Sequence, residues 1–270
     1  MGNTEISNDF TIKIVQIKIN LKSWTLLEWV LFFIVIPGLL FLIYTLPQEI
    51  KNTYFILNTT EILRLQTWFL FGYTHSQLYP HLLGNVIAYL IALIAVFSFE
   101  NNKRRFWIMA GSSFLLVPVI TSLLTIGLFY FIGIGINSQG FSAVVASFIA
   151  YVFVSIVLWI LGDRLEDFDH PELFKSRILF YFLCGLLTIM LALIIVGGLS
   201  LGIFMNTGES TSNGIAHFGG FITGVLVFWV FDILTEQRKY FQMTLGIAIG
   251  MGILWYGNYL VNLIHTVKGV

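Results

Sequence analysis

From Phe106 to Gly162 the chain carries no Asp, Glu, Lys or Arg. A stretch that long without charge leaves no face for water, and it exceeds a single membrane crossing, which takes roughly 20 apolar residues. The chain must therefore double back within it. The break falls at Gly133 to Gly140, where Gly133, Gly135 and Gly140 are grouped with Asn137, Ser138 and Gln139. Apolar runs bounded by polar residues recur at about 24 to 46, 82 to 99, 106 to 130, 141 to 161, 178 to 205, 214 to 234 and 240 to 264, which predicts seven spans. Composition agrees, since only 10% of residues are charged against about 25% in a soluble domain. The expected fold class is an all-α polytopic membrane protein embedded in a lipid bilayer.

Lys and Arg near span ends orient the spans, because positive loops stay cytoplasmic. Lys13, Lys18, Lys22, Lys103, Arg104, Arg105, Arg164, Lys175, Arg177, Arg238 and Lys239 all fall on one side, and only Lys51, Arg64 and Lys268 on the other. The expectation is a multi-pass protein with a cytoplasmic N-terminus and the C-terminus outside. A net charge of zero argues against a nucleic-acid partner. The lone Cys184 can form no disulfide within the chain. Residues 1 to 23, polar and mixed in charge, do not read as a cleaved signal peptide. Within them, Ile12, Ile14, Ile17, Ile19 and Leu21 with interspersed lysines suggest a short strand or membrane-surface segment over 11 to 22. Residues 47 to 74 form a long outer connection of the kind that is often functional.

Polar groups inside spans are costly and mark a site by default. Span two opens with His81 and Asn85, four apart on one helical face; span four with Gly140, Phe141 and Ser142; span six with Ala216 and His217. The orientation runs spans two, four and six in the same sense, so these three starts share one depth. Ser142 is followed by Ala146 and Ala150, and His217 by Gly220 and Gly224. Small residues at helical intervals let two membrane helices pack closely. If spans four and six meet through those strips, Ser142 faces His217 one turn above the contact. A serine in reach of a histidine is an activated nucleophile and its general base. The Asn85 amide, the His81 ring and the backbone at the start of span four are then candidate donors to an oxyanion.

These motifs resemble the rhomboid family of intramembrane serine proteases: His-x-x-x-Asn in the second span, Gly-x-Ser opening the fourth, and Ala-His-x-x-Gly-x-x-x-Gly in the sixth. Glu61-x-Leu63-Arg64 is similar to the Trp-Arg element of the family's first outer loop. The resemblance covers about residues 24 to 234. It implies Ser142 as nucleophile, His217 as base, and His81 with Asn85 in the oxyanion hole. It also implies a six-helix core at 24–234, preceded by a cytoplasmic segment at 1–23 and followed at 235–270 by a loop and an additional C-terminal helix. The implied substrates are single-span or polytopic membrane proteins, cut near the outer face without a cofactor. Ala143 stands where the family usually has Gly, and Leu63 where it usually has Trp. The rival reading on the same fold is a non-catalytic protein that binds or escorts membrane helices, against which the intact Ser142 and His217 argue. A metal protease would need three ligands, such as His75, His81 and His217, and the His-Glu-x-x-His helix is absent.

Overall fold

The computed structural model describes residues 15–133, 135–161, 214–235 and 239–268. The expected fifth span at 178 to 205, with Cys184, lies outside the described residues. Within them the chain is almost wholly helical, and four helices are long and apolar enough to cross a membrane: Leu26–Tyr44, Leu78–Phe99, Lys103–Tyr130 and Gly214–Thr235. Two further helices have shorter apolar stretches, Ser142–Ile156 and Leu245–Asn258.

Residues 15–23 form helix α1, in place of the strand that is one of the two expectations for 11 to 22. Polar pairing at helical spacing decides it: Gln16 donates to Asn20 Oδ1 at 2.8 Å, and the buried Asn20 amide donates to Ser98 O at 3.0 Å. Helix α2 (Leu26–Tyr44) starts on a capping box, with Thr25 Oγ1 accepting from the Glu28 N–H and the Glu28 carboxylate accepting from the Thr25 N–H. Pro37 offers no N–H to the ladder, and the turn before it, Leu31–Val35, widens into a π turn. Glu28 also accepts from Lys103 Nζ at 2.7 Å and Trp107 Nε1 at 3.2 Å, which ties α2 to a later helix.

The long connection that follows is built rather than loose. Helix α3 (Gln48–Ile50) runs on as a π turn, Lys51–Phe55, and α4 (Leu65–Leu70) runs into a 3-10 turn, Phe71–Tyr73. Between them β1 (Leu57–Asn58) pairs antiparallel with β2 (Asn137–Ser138), joining this connection to the glycine-rich turn predicted at 133 to 140. Gly133, at φ 79, takes the left-handed conformation that ends the preceding helix and donates to Phe129 O and Tyr130 O.

Helix α5 spans Leu78–Phe99, α6 Lys103–Ile132, α7 Ser142–Leu161, α8 Gly214–Thr235 and α9 Lys239–Lys268. The core lies where α8 packs on α7 and α6, and α7 on α5. The close approach is backbone to backbone. A Cβ added at Gly220 would stand 2.0 Å from Ala143 O, and one at Gly224 would stand 2.4 Å from Ser147 O and 3.0 Å from Ala150 Cβ. The predicted glycine strip is thus the contact, but the facing register is Ala143, Ser147 and Ala150. Ala146 is buried, though neither glycine meets it first. Midway along α7, buried Arg105 forms a two-pronged ion pair with Glu100, at 3.0 and 2.7 Å, and Tyr151 donates to the same carboxylate at 2.5 Å. The Arg105 guanidinium lies over the Phe228 ring, which stacks on Tyr151. One ion pair therefore joins the start of α6 to α7 and α8.

Candidate active site

Ser142 is the first residue of α7, and two residues before it Gly140 sits at φ 141, a conformation that side chains disfavour. That turn is anchored, since Gly140 N–H donates to Phe71 O at 2.9 Å. Phe141 drives the start of α7 inward: its ring is fully buried, with centroids 5.5 Å from Tyr89 and 6.2 Å from Phe114 and from Tyr73. Packing of this apolar ring, with the glycine behind it, fixes where Ser142 points.

His217 lies in the first turn of α8, buried at 6% exposure, and its Nε2 is 2.5 Å from Ser142 Oγ. Ser142 itself is half-buried. The two residues singled out from sequence are therefore hydrogen-bonded, and the glycine contacts one turn further along α8 hold them there. With the hydroxyl donating, Nε2 is the acceptor that can take the serine proton.

The residue that sequence reasoning considered only as a metal ligand is His75. It is buried at 3% exposure in the loop before α5, and its Nε2 accepts from Phe141 N–H at 3.2 Å. Asn85 Nδ2 lies 2.9 Å from the same nitrogen. A backbone N–H can only donate, so Nε2 is unprotonated, Asn85 presents its NH2, and the ring proton is on Nδ1. Burial, followed by the charge of nearby His81, pushes His75 down to about 4. It is a neutral strut between α5 and the start of α7.

The expected oxyanion donors are only partly gathered. Asn85 reaches the site through His75 and keeps a second amide hydrogen. The N–H groups that open α7, those of Ser142, Ala143 and Val144, have no helical carbonyl behind them. His81 is half-buried in the π turn Leu78–Leu82 and, among the described residues, makes no hydrogen bond. The shared face expected for His81 and Asn85 does not produce a shared bond, because Asn85 is engaged by His75 instead. Phe141 contributes its backbone and an anchor, not a wall facing the serine. Glu61 and Arg64 pair at 2.6 Å, with both side chains well exposed, and Leu63 is 88% exposed, so neither stands in the buried cluster. Among the described residues no group of three or more His, Cys, Asp or Glu is gathered to hold a metal.

Together these features define a class: a helical, membrane-embedded protein with a partly buried serine–histidine pair where two tightly packed helices begin. Compared with protein-family models, curated proteins and solved structures, the chain matches none of them.

Proposed function

We propose that the chain is an intramembrane serine endopeptidase of the rhomboid type, cleaving the membrane segments of single-span or polytopic proteins with Ser142 and His217. The observation that carries this reading is the 2.5 Å contact between Ser142 Oγ and His217 Nε2. A hydroxyl buried among helices commonly satisfies itself on its own backbone, as Thr223 does on Gly219 O at 2.7 Å. Ser142 is instead aimed across a helix interface at an imidazole.

In the proposed reaction His217 removes the hydroxyl proton as Ser142 Oγ attacks the scissile carbonyl, and passes that proton to the leaving amine as the C–N bond breaks. Water, deprotonated by the same ring, then hydrolyses the acyl-enzyme and restores Ser142. Asn85 and the N–H groups opening α7 stabilise the oxyanion, with His81 as a further donor near the same end of α5. The reading takes the described helices as parts of a six-span core with a seventh span after it, the N-terminus cytoplasmic and the C-terminus outside. The Ser142 end then faces outward, and water reaches it from that side.

The test is incubation of the purified chain with a generic single-span substrate, with fragments mapped by mass spectrometry. Ser142→Ala and His217→Ala should each abolish cleavage, and the double variant should be no worse, because neither group is useful alone. Substantial turnover by Ser142→Ala would overturn the proposal. A helix escort on the same fold would bind the substrate and leave it whole.

A further inference from the structure

Helix α9 follows the segment that the family resemblance covers, yet it reaches the turn that carries His217. It lies antiparallel against α8 in a regular register. Gln242 Nε2 donates to an Asp232 carboxylate oxygen at 3.2 Å. Further along, Gly246 lies against the Trp229 ring, with its added Cβ at 3.7 Å, and Gly252 against Ile222 Cδ1 at 3.6 Å. The last of these contacts is Tyr256 on Phe218, rings stacked with centroids 4.0 Å apart and 12° between planes. From Gln242 to Tyr256 α9 advances as far as α8 runs back from Asp232 to Phe218, so the contact runs from the Asp232 end to the residue next to His217.

That last contact falls where α8 most needs support. The first turn of a helix lacks internal partners for its N–H groups and frays most readily. The glycine contacts that clamp α8 to α7 begin at Gly220, beyond this turn. Ala216 packs the turn into the main core, and its other side packs into a separate apolar cluster: Ile215, Phe218 and Tyr256 with Leu128, Phe129, Ile222 and Leu260. Tyr256 is 4% exposed and, with Leu260, is what α9 brings to that cluster.

We infer that Tyr256 is a positioning residue for His217, and that α9 belongs to the catalytic unit instead of being appended to it. This rests on the protease reading of the Ser142 and His217 pair. The ring of Tyr256 holds Phe218, Phe218 fixes the first turn of α8, and that turn sets the distance from the imidazole to Ser142 Oγ. Displacing a catalytic group by about 1 Å can cost on the order of 100-fold in rate.

The experiment measures the rate at which a small fluorophosphonate labels Ser142 in the folded full-length chain, together with kcat and KM on a single-span substrate. Tyr256→Ala should slow labelling and lower kcat by about 10- to 100-fold with KM little changed, and Tyr256→Phe, which keeps the stacked ring, should restore both. Tyr256→Leu, which keeps apolar bulk for folding but not the stack, should fall with the alanine variant. A role in stability alone would reduce the amount of folded protein and leave the labelling rate of the folded fraction untouched. Wild-type labelling with unaltered rates in both Tyr256→Ala and Tyr256→Leu overturns this inference alone. A wild-type chain that never labels overturns the protease reading and this inference with it.

Discussion

Asn85 has two amide hydrogens, and His75 Nε2 takes one of them. In the account above the other serves a developing oxyanion, so Asn85→Ala should lower turnover by roughly 100- to 1,000-fold while leaving substrate binding nearly intact. An unchanged rate would remove Asn85 from the reaction. His75 makes a different prediction, because it is held neutral by burial. Its folded value is depressed to about 4, whereas an unfolded histidine titrates near 6.5. The unfolded chain therefore binds the extra proton between those values. The stability contributed by neutral His75 is fully present above about pH 6.5 and is lost as pH falls toward 4, on the order of 3 kcal/mol in all. Thermal unfolding followed from pH 7.5 to 4.5 should show this fall, and His75→Gln should flatten it; an equal fall in the variant would assign the effect elsewhere. Ser142 and His217 were legible in the sequence because each opens an apolar run with small residues at helical spacing behind it. His75 was not, since it lies in a loop, and no periodicity relates a loop side chain to the helix start it supports.

Helices α7 and α8 approach so closely that glycine is required, and the two glycines are not equal. A Cβ at Gly220 meets a backbone oxygen at 2.0 Å, and carbonyls cannot rotate away as a side chain can. Gly220→Ala should force the helices apart by about 1 Å or more and destabilise the chain by several kcal/mol, at or beyond the usual 1–3 kcal/mol of overpacking. Cleavage should be lost even in whatever remains folded, because the same shift separates Ser142 from His217. Gly84→Ala, where an added Cβ meets nothing within 4 Å, is the control and should be tolerated in the fold. Wild-type activity in Gly220→Ala would contradict the packing. At this scale the sequence read well: six expected spans coincide with helices, and the break at 133 to 140 is a turn. Residues 15–23 are helical instead of strand because the Gln16 and Asn20 pair at helical spacing outweighs the apolar alternation.

Across the whole molecule, the buried Glu100, Arg105 and Tyr151 cluster ties the middle of α7 to Phe228 of α8, and in the proposed account the Ser142 ends carry the chemistry. In the proposed orientation the Ser142 ends face outward, so the bond cut should lie in the outer part of a substrate segment or just beyond it. A helix buries its carbonyls in its own hydrogen bonds, so the segment must unwind before attack. Gly and similar weak helix formers near its outer end should favour cleavage. Moving a Gly-Ala pair along a model span and mapping the cut tests this, and cleavage near the cytoplasmic end would contradict the orientation. The most direct test of the central claim remains chemical. Exposure of the purified chain to a fluorophosphonate, followed by peptide mapping, should place the adduct on Ser142 alone, with His217→Ala abolishing it. No adduct on Ser142, or an adduct indifferent to His217, would contradict the account.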